Sequence, residues 1–302
     1  MTAGSPAKAP MDGITKWGAF IKLSHTVFAL PFALASMSAA ARENRGWPGL
    51  RIFLLIIAAV LTARACAMSF NRIVDQRFDA QNPRTASRHL PTGAISTVGA
   101  SIFCICCAAA FWAVTYFING ICFALAPLAL VVVCFYSLTK RFTDFTHIYL
   151  GIALALAPIG AWLAVRGSIH LAPILLGLAV ICWLAGFDII YALQDYEFDK
   201  SHGLHSLVVR WGPKNALQFA FLAHIVMWGL LALFGLILRF RTTYFVGLVI
   251  ILVSLLLEHW LARRRSLNWI NIAFFRLNAL VSIVFLAATV ASVAFPGFRR
   301  IP

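Results

Sequence analysis

Residues 50–79 read LRIFLLIIAAVLTARACAMSFNRIVDQRFD. The first 21 of them carry only Arg51 and Arg64 as charges, a run long and apolar enough to cross the hydrocarbon core of a bilayer as one helix. Its end changes character. Asn71, Asp75 and Asp79 follow at steps of four, which puts them on one helical face. A membrane-crossing helix that ends in an acid-bearing face sets the expectation for the chain: helices in lipid, with chemistry at one membrane face.

Composition agrees. Of 302 residues, 62% are hydrophobic and 12% charged, with mean hydropathy +0.88; a soluble domain is about 45–50% apolar and about 25% charged. Ten Asp and Glu with twenty-five Lys and Arg cannot cover a soluble globule of this length. That excludes a soluble enzyme, a disordered chain and a disulfide scaffold. Apolar stretches near 20–41, 50–70, 95–117, 120–138, 147–165, 171–193, 217–238, 243–262 and 269–295 predict an all-α polytopic membrane helix bundle of about nine transmembrane helices. Residues 1–17 read as an N-terminal cytoplasmic tail and 18–302 as a single transmembrane domain. The first stretch mimics a signal peptide, with Lys16 and Lys22 before it and small residues after it. Its length and the eight spans that follow predict an uncleaved helix instead.

With the N-terminus inside, fifteen basic residues fall in inner segments and eight in outer ones, which supports that orientation. The net charge of +15 is therefore read as membrane topology, with no nucleic-acid partner. The seven cysteines all lie in or at the ends of apolar runs. Cys104 and Cys107 form a C-x-x-C with no second pair or histidine at ligand spacing, so they read as small hydrophobes.

Two inner segments, 71–94 and 194–216, are longer than the outer connections. Six of the ten acids cluster there or just before them: Asp75 and Asp79, then Asp188, Asp195, Glu197 and Asp199. The second cluster places Asp188, Tyr191, Asp195 and Asp199 at steps of three and four, which predicts one helical face. Two D-x-x-x-D repeats in a chain nearly free of acid are poorly explained as solvated helix ends. Carboxylates are hard ligands suited to Mg²⁺, which takes one or two of them plus phosphate oxygens. Two facing Asp pairs, each with Mg²⁺, form a site for a diphosphate. Arg72, Arg84, Arg88 and Lys200 lie in the same segments, and Tyr136, Lys140 and Arg141 end span four on the same side; Arg clamps phosphate bidentately and Lys acts as a point charge. Arg77 and Arg210 read as topology alone.

These residues resemble the UbiA superfamily of intramembrane aromatic prenyltransferases. Asn71, Asp75 and Asp79 match its first motif, N-D/R-x-x-D-x-x-x-D. Asp195 and Asp199 match its D-x-x-x-D, preceded by Asp188 and Tyr191, and Tyr136 and Lys140 match its Y-x-x-x-K. Residues 82–93, NPRTASRHLPTG, look like its R-T-x-x-R-x-L-P-x-G. Arg72 stands where many members have Asp, a form similar to the 4-hydroxybenzoate polyprenyltransferase-like members and their menaquinone-pathway cousins.

The resemblance implies a central cavity open to the cytoplasmic face and transfer of a polyprenyl group from its diphosphate to an aromatic ring. The acceptor it suggests is 4-hydroxybenzoate, in ubiquinone-type quinone biosynthesis, with a naphthoate-type menaquinone precursor as the alternative. It implies metal binding by Asn71, Asp75, Asp79, Asp195 and Asp199, with two Mg²⁺ ions. Diphosphate binding falls to Arg72, Arg84, Arg88, Tyr136, Lys140, Arg141 and Lys200, and catalytic roles to Asp75, Asp188, Tyr191 and Asp195. Asp188 is expected to position the acceptor or remove its ring proton, or to assist the second acid cluster. Arg64, seven residues before Asn71 on nearly the same face, could approach the acceptor carboxylate. The partners implied are polyprenyl diphosphate, a small aromatic acid and membrane lipid, and the location a bacterial cytoplasmic (inner) membrane with the active site inside. Arg276, Asn271 and Asn278 read as a polar inner stripe of span nine, and His25, His224, Glu258 and His259 as structural. An ion-coupled secondary transporter is the rival from another class, but its sites lie near the bilayer midplane, whereas both acid motifs end spans on one face.

Overall fold

The computed structural model describes residues 13–263 and 273–295, and among them the ordered elements are all helical. α1 (Gly13–Phe20) precedes a 3-10 stretch, Leu23–Phe28, and α2 (Leu30–Ala40). There follow α3 (Leu50–Gln81), α4 (Thr97–Ile118), α5 (Gly120–Thr139), α6 (Thr146–Arg166) and α7 (Leu171–Ala192). The short α8 (Tyr196–Ser201) leads to α9 (Leu207–Ile237), α10 (Thr242–Arg263) and α11 (Asn278–Ala294), the last entered through a π turn, Ala273–Leu277. Among the described residues, nine helical stretches are long and apolar enough to cross a membrane. The predicted tail is described only from Gly13, where a helix already begins, and Trp17 of that helix stacks on Phe103.

α7 is buried along most of its length, as expected of a helix that is apolar all round, and packs chiefly on α9 and α6. Trp183 at its centre donates Nε1–H to Asn278 Oδ1 (2.6 Å), and Asn278 Nδ2 donates to Glu258 Oε1 (2.7 Å). This buried chain, flanked by a 3.0 Å contact between the His224 and His259 imidazoles, joins α7, α9, α10 and α11 at polar positions that lipid could not satisfy. Gly186 is there for the same reason: a Cβ would strike the His224 ring.

Three expectations need correction. The segments 71–94 and 194–216 are not continuous loops: the first is helix to Gln81 and turns from Asn82 on, and the second is mostly helical. α3 runs on to Gln81; its 32 residues are about 48 Å long at 1.5 Å per residue, well beyond the roughly 30 Å hydrocarbon core, so its acid-bearing end projects past the lipid tails. The second segment is helical to Ser201, and helix resumes at Leu207, with a break at Gly212 (φ 75°, ψ 160°) before Pro213. Nor does one continuous helix carry Asp188, Tyr191, Asp195 and Asp199, because a 3-10 turn at Leu193–Asp195 separates α7 from α8. In span nine Arg276 is exposed and Asn278 buried; two residues apart on a helix, they face different ways. Asn271 lies outside the described residues.

Candidate active site

α3 through α7 surround a cavity of about 570 Å³, mostly apolar, with polar groups at one end. Asn71 and Asp75 from α3, Tyr136 and Lys140 from the end of α5, and Asp188 and Tyr191 from α7 line that end. Arg64, about two turns before Asn71 on α3, is also in the wall, as are Lys22 and His25. The other wall residues continue along α5 to Cys122, at its far end.

Three of the four acids of the two motifs, Asp75, Asp79 and Asp195, are met by cations. Lys140 Nζ lies 2.8 Å from Asp75 Oδ2, which also accepts from Asn71 Nδ2 (3.2 Å). Arg141 caps the same turn, donating to the Val74 carbonyl and lying 3.6 Å from Asp75 Oδ1. Arg88 Nη1 donates to Asp79 Oδ1 (2.6 Å), and Arg72 Nη1 lies 3.8 Å from the other oxygen. Arg72, the departure from the commoner Asp, is thus a buried partner of Asp79. Arg84 grips Asp195 with both Nε (2.8 Å to Oδ1) and Nη2, and its Nη1 donates to the hydroxyl of Tyr191 in the cavity wall (2.9 Å). One guanidinium therefore ties the loop after the first motif to the second.

The sequence of 82–93 explains how this loop aims its two arginines. Asn82 Oδ1 accepts from the Arg84 amide (2.9 Å), Asn82 Nδ2 donates to Asp195 (3.1 Å), and Thr85 Oγ1 donates to the Asp79 carbonyl (3.0 Å). Leu90 then plugs a small cluster with Phe20, Ile95 and Ala100. Gly93 takes the left-handed turn (φ 71°) that returns the chain to α4.

Asp199 is half-buried, with no ion pair to the cations named above, and Lys200 is exposed, its Nζ over the Tyr196 ring. The structure does not bring Lys200 to the cavity. It adds residues that the sequence did not flag. His147 Nδ1 lies 2.7 Å from Asp188 Oδ2; a lone histidine at a helix start carries no sequence signal. Asn82 sat unremarked in a motif. Lys22, counted only for topology, takes a left-handed backbone (φ 48°), and its carbonyl receives Arg64 Nη2 at 3.4 Å. Burial first, then the charges of Arg72, Arg88, Arg84 and Arg64, lower the Lys22 ammonium to about 7.

Among the described residues no three His, Cys, Asp or Glu side chains converge as a ready-made metal cage. What the motifs offer is spare acceptor capacity: Asp75 Oδ1 and Asp79 Oδ2 are buried and accept no hydrogen bond. One or two carboxylates with open lone pairs suit a Mg²⁺ that completes its shell with phosphate oxygens and water, so the donor set fits.

The model of the UbiA prenyltransferase family matches residues 29–294. The chain belongs to that family. Membership makes it a prenyltransferase and accounts for the four motifs in order. Among curated relatives, the 4-hydroxybenzoate octaprenyltransferase of Tolumonas auensis is 27% identical over 242 residues, covering 80% of this chain and 84% of that one. The enzyme of the same name from Francisella tularensis subsp. novicida is 27% identical over 256 residues, 84% and 89% of the two chains. Among solved structures, the apo UbiA homolog from Aeropyrum pernix K1 superposes with a TM-score of 0.79 at 31% identity, over 87% of this chain and 96% of that one. The UbiA homolog from Archaeoglobus fulgidus bound to DMAPP and Mg²⁺ shares the fold, with a TM-score of 0.70 at 24% identity over 93% and 99%.

Proposed function

We propose that this UbiA member catalyses Mg²⁺-dependent transfer of a polyprenyl group from polyprenyl diphosphate to 4-hydroxybenzoate, in a bacterial cytoplasmic membrane and at its inner face. The observation that carries the reading is the junction of a paired acid–base shell with a long apolar cavity. From Lys140 to Cys122 the cavity follows α5 for 18 residues, about 27 Å at 1.5 Å per residue, a depth suited to a multi-unit isoprenoid tail. The names of the two relatives support both the donor class and the acceptor.

In this reading Arg84, Arg88, Lys140 and Arg141 exchange their carboxylate partners for the diphosphate, with Arg72 and Tyr136 beside them. Asn71, Asp75, Asp79, Asp195 and Asp199 hold the metal. Bound Mg²⁺ supplies charge neutralisation to the diphosphate leaving group. The allylic C–O bond breaks with its electron pair going to the diphosphate, the ring carbon ortho to the phenol forms the new C–C bond, and Asp188 takes the displaced ring proton. Tyr191, tied to Arg84, orders the same wall. Arg64 and Lys22 face the acceptor carboxylate. The apolar walls exclude water, which would otherwise capture the allylic cation.

The test supplies membranes bearing the protein with labelled polyprenyl diphosphate, Mg²⁺ and either 4-hydroxybenzoate or a dihydroxynaphthoate. Transfer to the benzoate is expected, abolished by chelation and reduced about 10²–10³-fold in Asp75→Asn or Asp195→Asn. Transfer to the naphthoate alone refutes the acceptor, and undiminished activity in both variants refutes the site.

A further inference from the structure

Asp188 sits in the cavity wall, but its hydrogen-bond partner does not. His147 occupies the first turn of α6, buried to 2% exposure, and is absent from the cavity lining. Its Nδ1 lies 2.7 Å from Asp188 Oδ2 while its Nε2 is buried and finds no hydrogen-bond partner. A doubly protonated ring would strand a charged N–H donor in that apolar setting, the costly kind of orphan. A neutral ring with its proton on Nδ1 leaves only a bare lone pair there and gives Asp188 a charge-assisted hydrogen bond.

The surrounding packing fixes this geometry. Gly151, one turn after His147 on the same face of α6, lets that helix meet the backbone of Ile181 on α7; a Cβ there would lie 2.9 Å from Ile181 Cα. Ile181 and Asp188 are seven residues apart and so share a face of α7. The close approach holds α6 at the distance where the imidazole reaches the carboxylate.

We infer that His147 is a positioning residue for prenyl transfer: its Nδ1–H holds Asp188 Oδ2 from behind, so that Oδ1 faces the acceptor ring and receives its proton. The inference rests on the role of Asp188 in the proposed function. In the step concerned, the C–H bond at the newly substituted ring carbon breaks, its electron pair restores the aromatic ring, and the proton passes to Asp188, which later yields it to water. His147 keeps its own proton throughout. Groups that orient a reacting group from behind are typically worth about 10–100-fold in activity, and here the loss should fall on proton removal alone.

The test uses the full chain in lipid nanodiscs with polyprenyl diphosphate, Mg²⁺ and 4-hydroxybenzoate, either protiated or deuterated ortho to the hydroxyl. The parent is expected to show an isotope effect on kcat near one. In His147→Ala, kcat falls about 10–100-fold, both KM values hold, and the isotope effect rises well above one as proton loss becomes limiting. His147→Asn, whose amide N–H lies where Nδ1–H does, restores kcat and the small isotope effect, which separates positioning from folding. Parent-like kcat and isotope effect in His147→Ala overturn the inference while an inactive Asp188→Asn leaves the proposed function standing. A fully active Asp188→Asn removes Asp188 from the reaction and the inference with it. Independently of turnover, nitrogen NMR of histidine-labelled protein identifies His147 by the signal lost in His147→Asn. A protonated Nδ1 with bare Nε2 is expected; the opposite tautomer overturns the inference whatever the substrate.

Discussion

Gly151 offers a way to loosen the His147–Asp188 pair without altering either residue. In Gly151→Ala the new Cβ would meet Ile181 Cα and its carbonyl oxygen, both at 2.9 Å. Carbon atoms rest about 3.5–4.0 Å apart, so the helices must separate by about 0.6–1.1 Å there, and a backbone obstacle cannot rotate aside. Carried one turn to His147, that shift stretches the 2.7 Å bond to about 3.3–3.8 Å, beyond good hydrogen-bond length. Overpacking costs about 1–3 kcal/mol, and the better helix propensity of Ala returns about 1 kcal/mol, so the fold survives. Gly177→Ala is the control on the same interface. Its Cβ would meet Ile159 Cδ1 at 2.8 Å, a side-chain tip that can swing away. With thermal unfolding and kcat measured for both, Gly151→Ala should lose about tenfold or more in kcat with a small shift in Tm, and Gly177→Ala should match the parent. Equal loss in the two variants, or parent-like kcat in Gly151→Ala, refutes the chain from helix spacing to proton transfer.

Lys22, lowered from its ordinary 10.5 to about 7, should give the acceptor KM a pH dependence. The folded value is depressed, so the unfolded chain binds more protons between these limits and this group's contribution to stability rises with pH. Carboxylate binding needs the ammonium and runs the other way. KM for 4-hydroxybenzoate should climb above about pH 7 in the parent and stay level in Lys22→Arg; a level parent profile removes Lys22 from the acceptor site. Asn278→Leu strands the Trp183 N–H and the Glu258 carboxyl, each at about 1–3 kcal/mol. Tm should fall while kcat per folded molecule holds, since this network lies outside the cavity lining; a lost kcat at unchanged Tm would contradict a purely structural role.

What was legible in the sequence was whatever the bilayer or a repeat imposes. Lipid excludes charge, so the nine spans and their order could be read from residues such as 50–70 alone, and acids as rare as Asp75 and Asp195 announced themselves by spacing. Helix ends were less legible: the spacing of Asn71, Asp75 and Asp79 carries the helix to that point, but hydropathy does not mark its end at Gln81, because beyond the lipid tails a polar helix and a polar loop have similar composition. Pairings between distant segments were illegible. Arg84 with Asp195 and His147 with Asp188 join residues 111 and 41 positions apart, and the 3-10 turn at Leu193–Asp195 depends on tertiary packing that no local period records. Lys200 shows the converse: proximity in sequence to an acid motif does not bring a side chain into the cavity.

The Arg at position 72 bears on the number of metal ions. The cavity's polar wall and the two motifs with their ion-pair partners hold seven cations (Lys22, Arg64, Arg72, Arg84, Arg88, Lys140, Arg141) and five carboxylates (Asp75, Asp79, Asp188, Asp195, Asp199), a net of +2 with Lys22 protonated. A trianionic diphosphate brings this to −1; one Mg²⁺ then gives +1 and a second +3. Unbalanced charge is expensive in a site with little water, so we predict that one ion suffices in this chain; the resemblance implied two. With Asp at position 72 the starting net is zero, and the same diphosphate leaves −3, which one ion brings to −1 and two to +1. The prediction is that Arg72 stands in for a charge that a second divalent ion would otherwise supply. The Mg²⁺ dependence of transfer should be hyperbolic in the parent and become sigmoidal, with a higher midpoint, in Arg72→Asp. A sigmoidal parent curve would show that local charge balance does not set the metal load, and that Arg72 serves Asp79 alone.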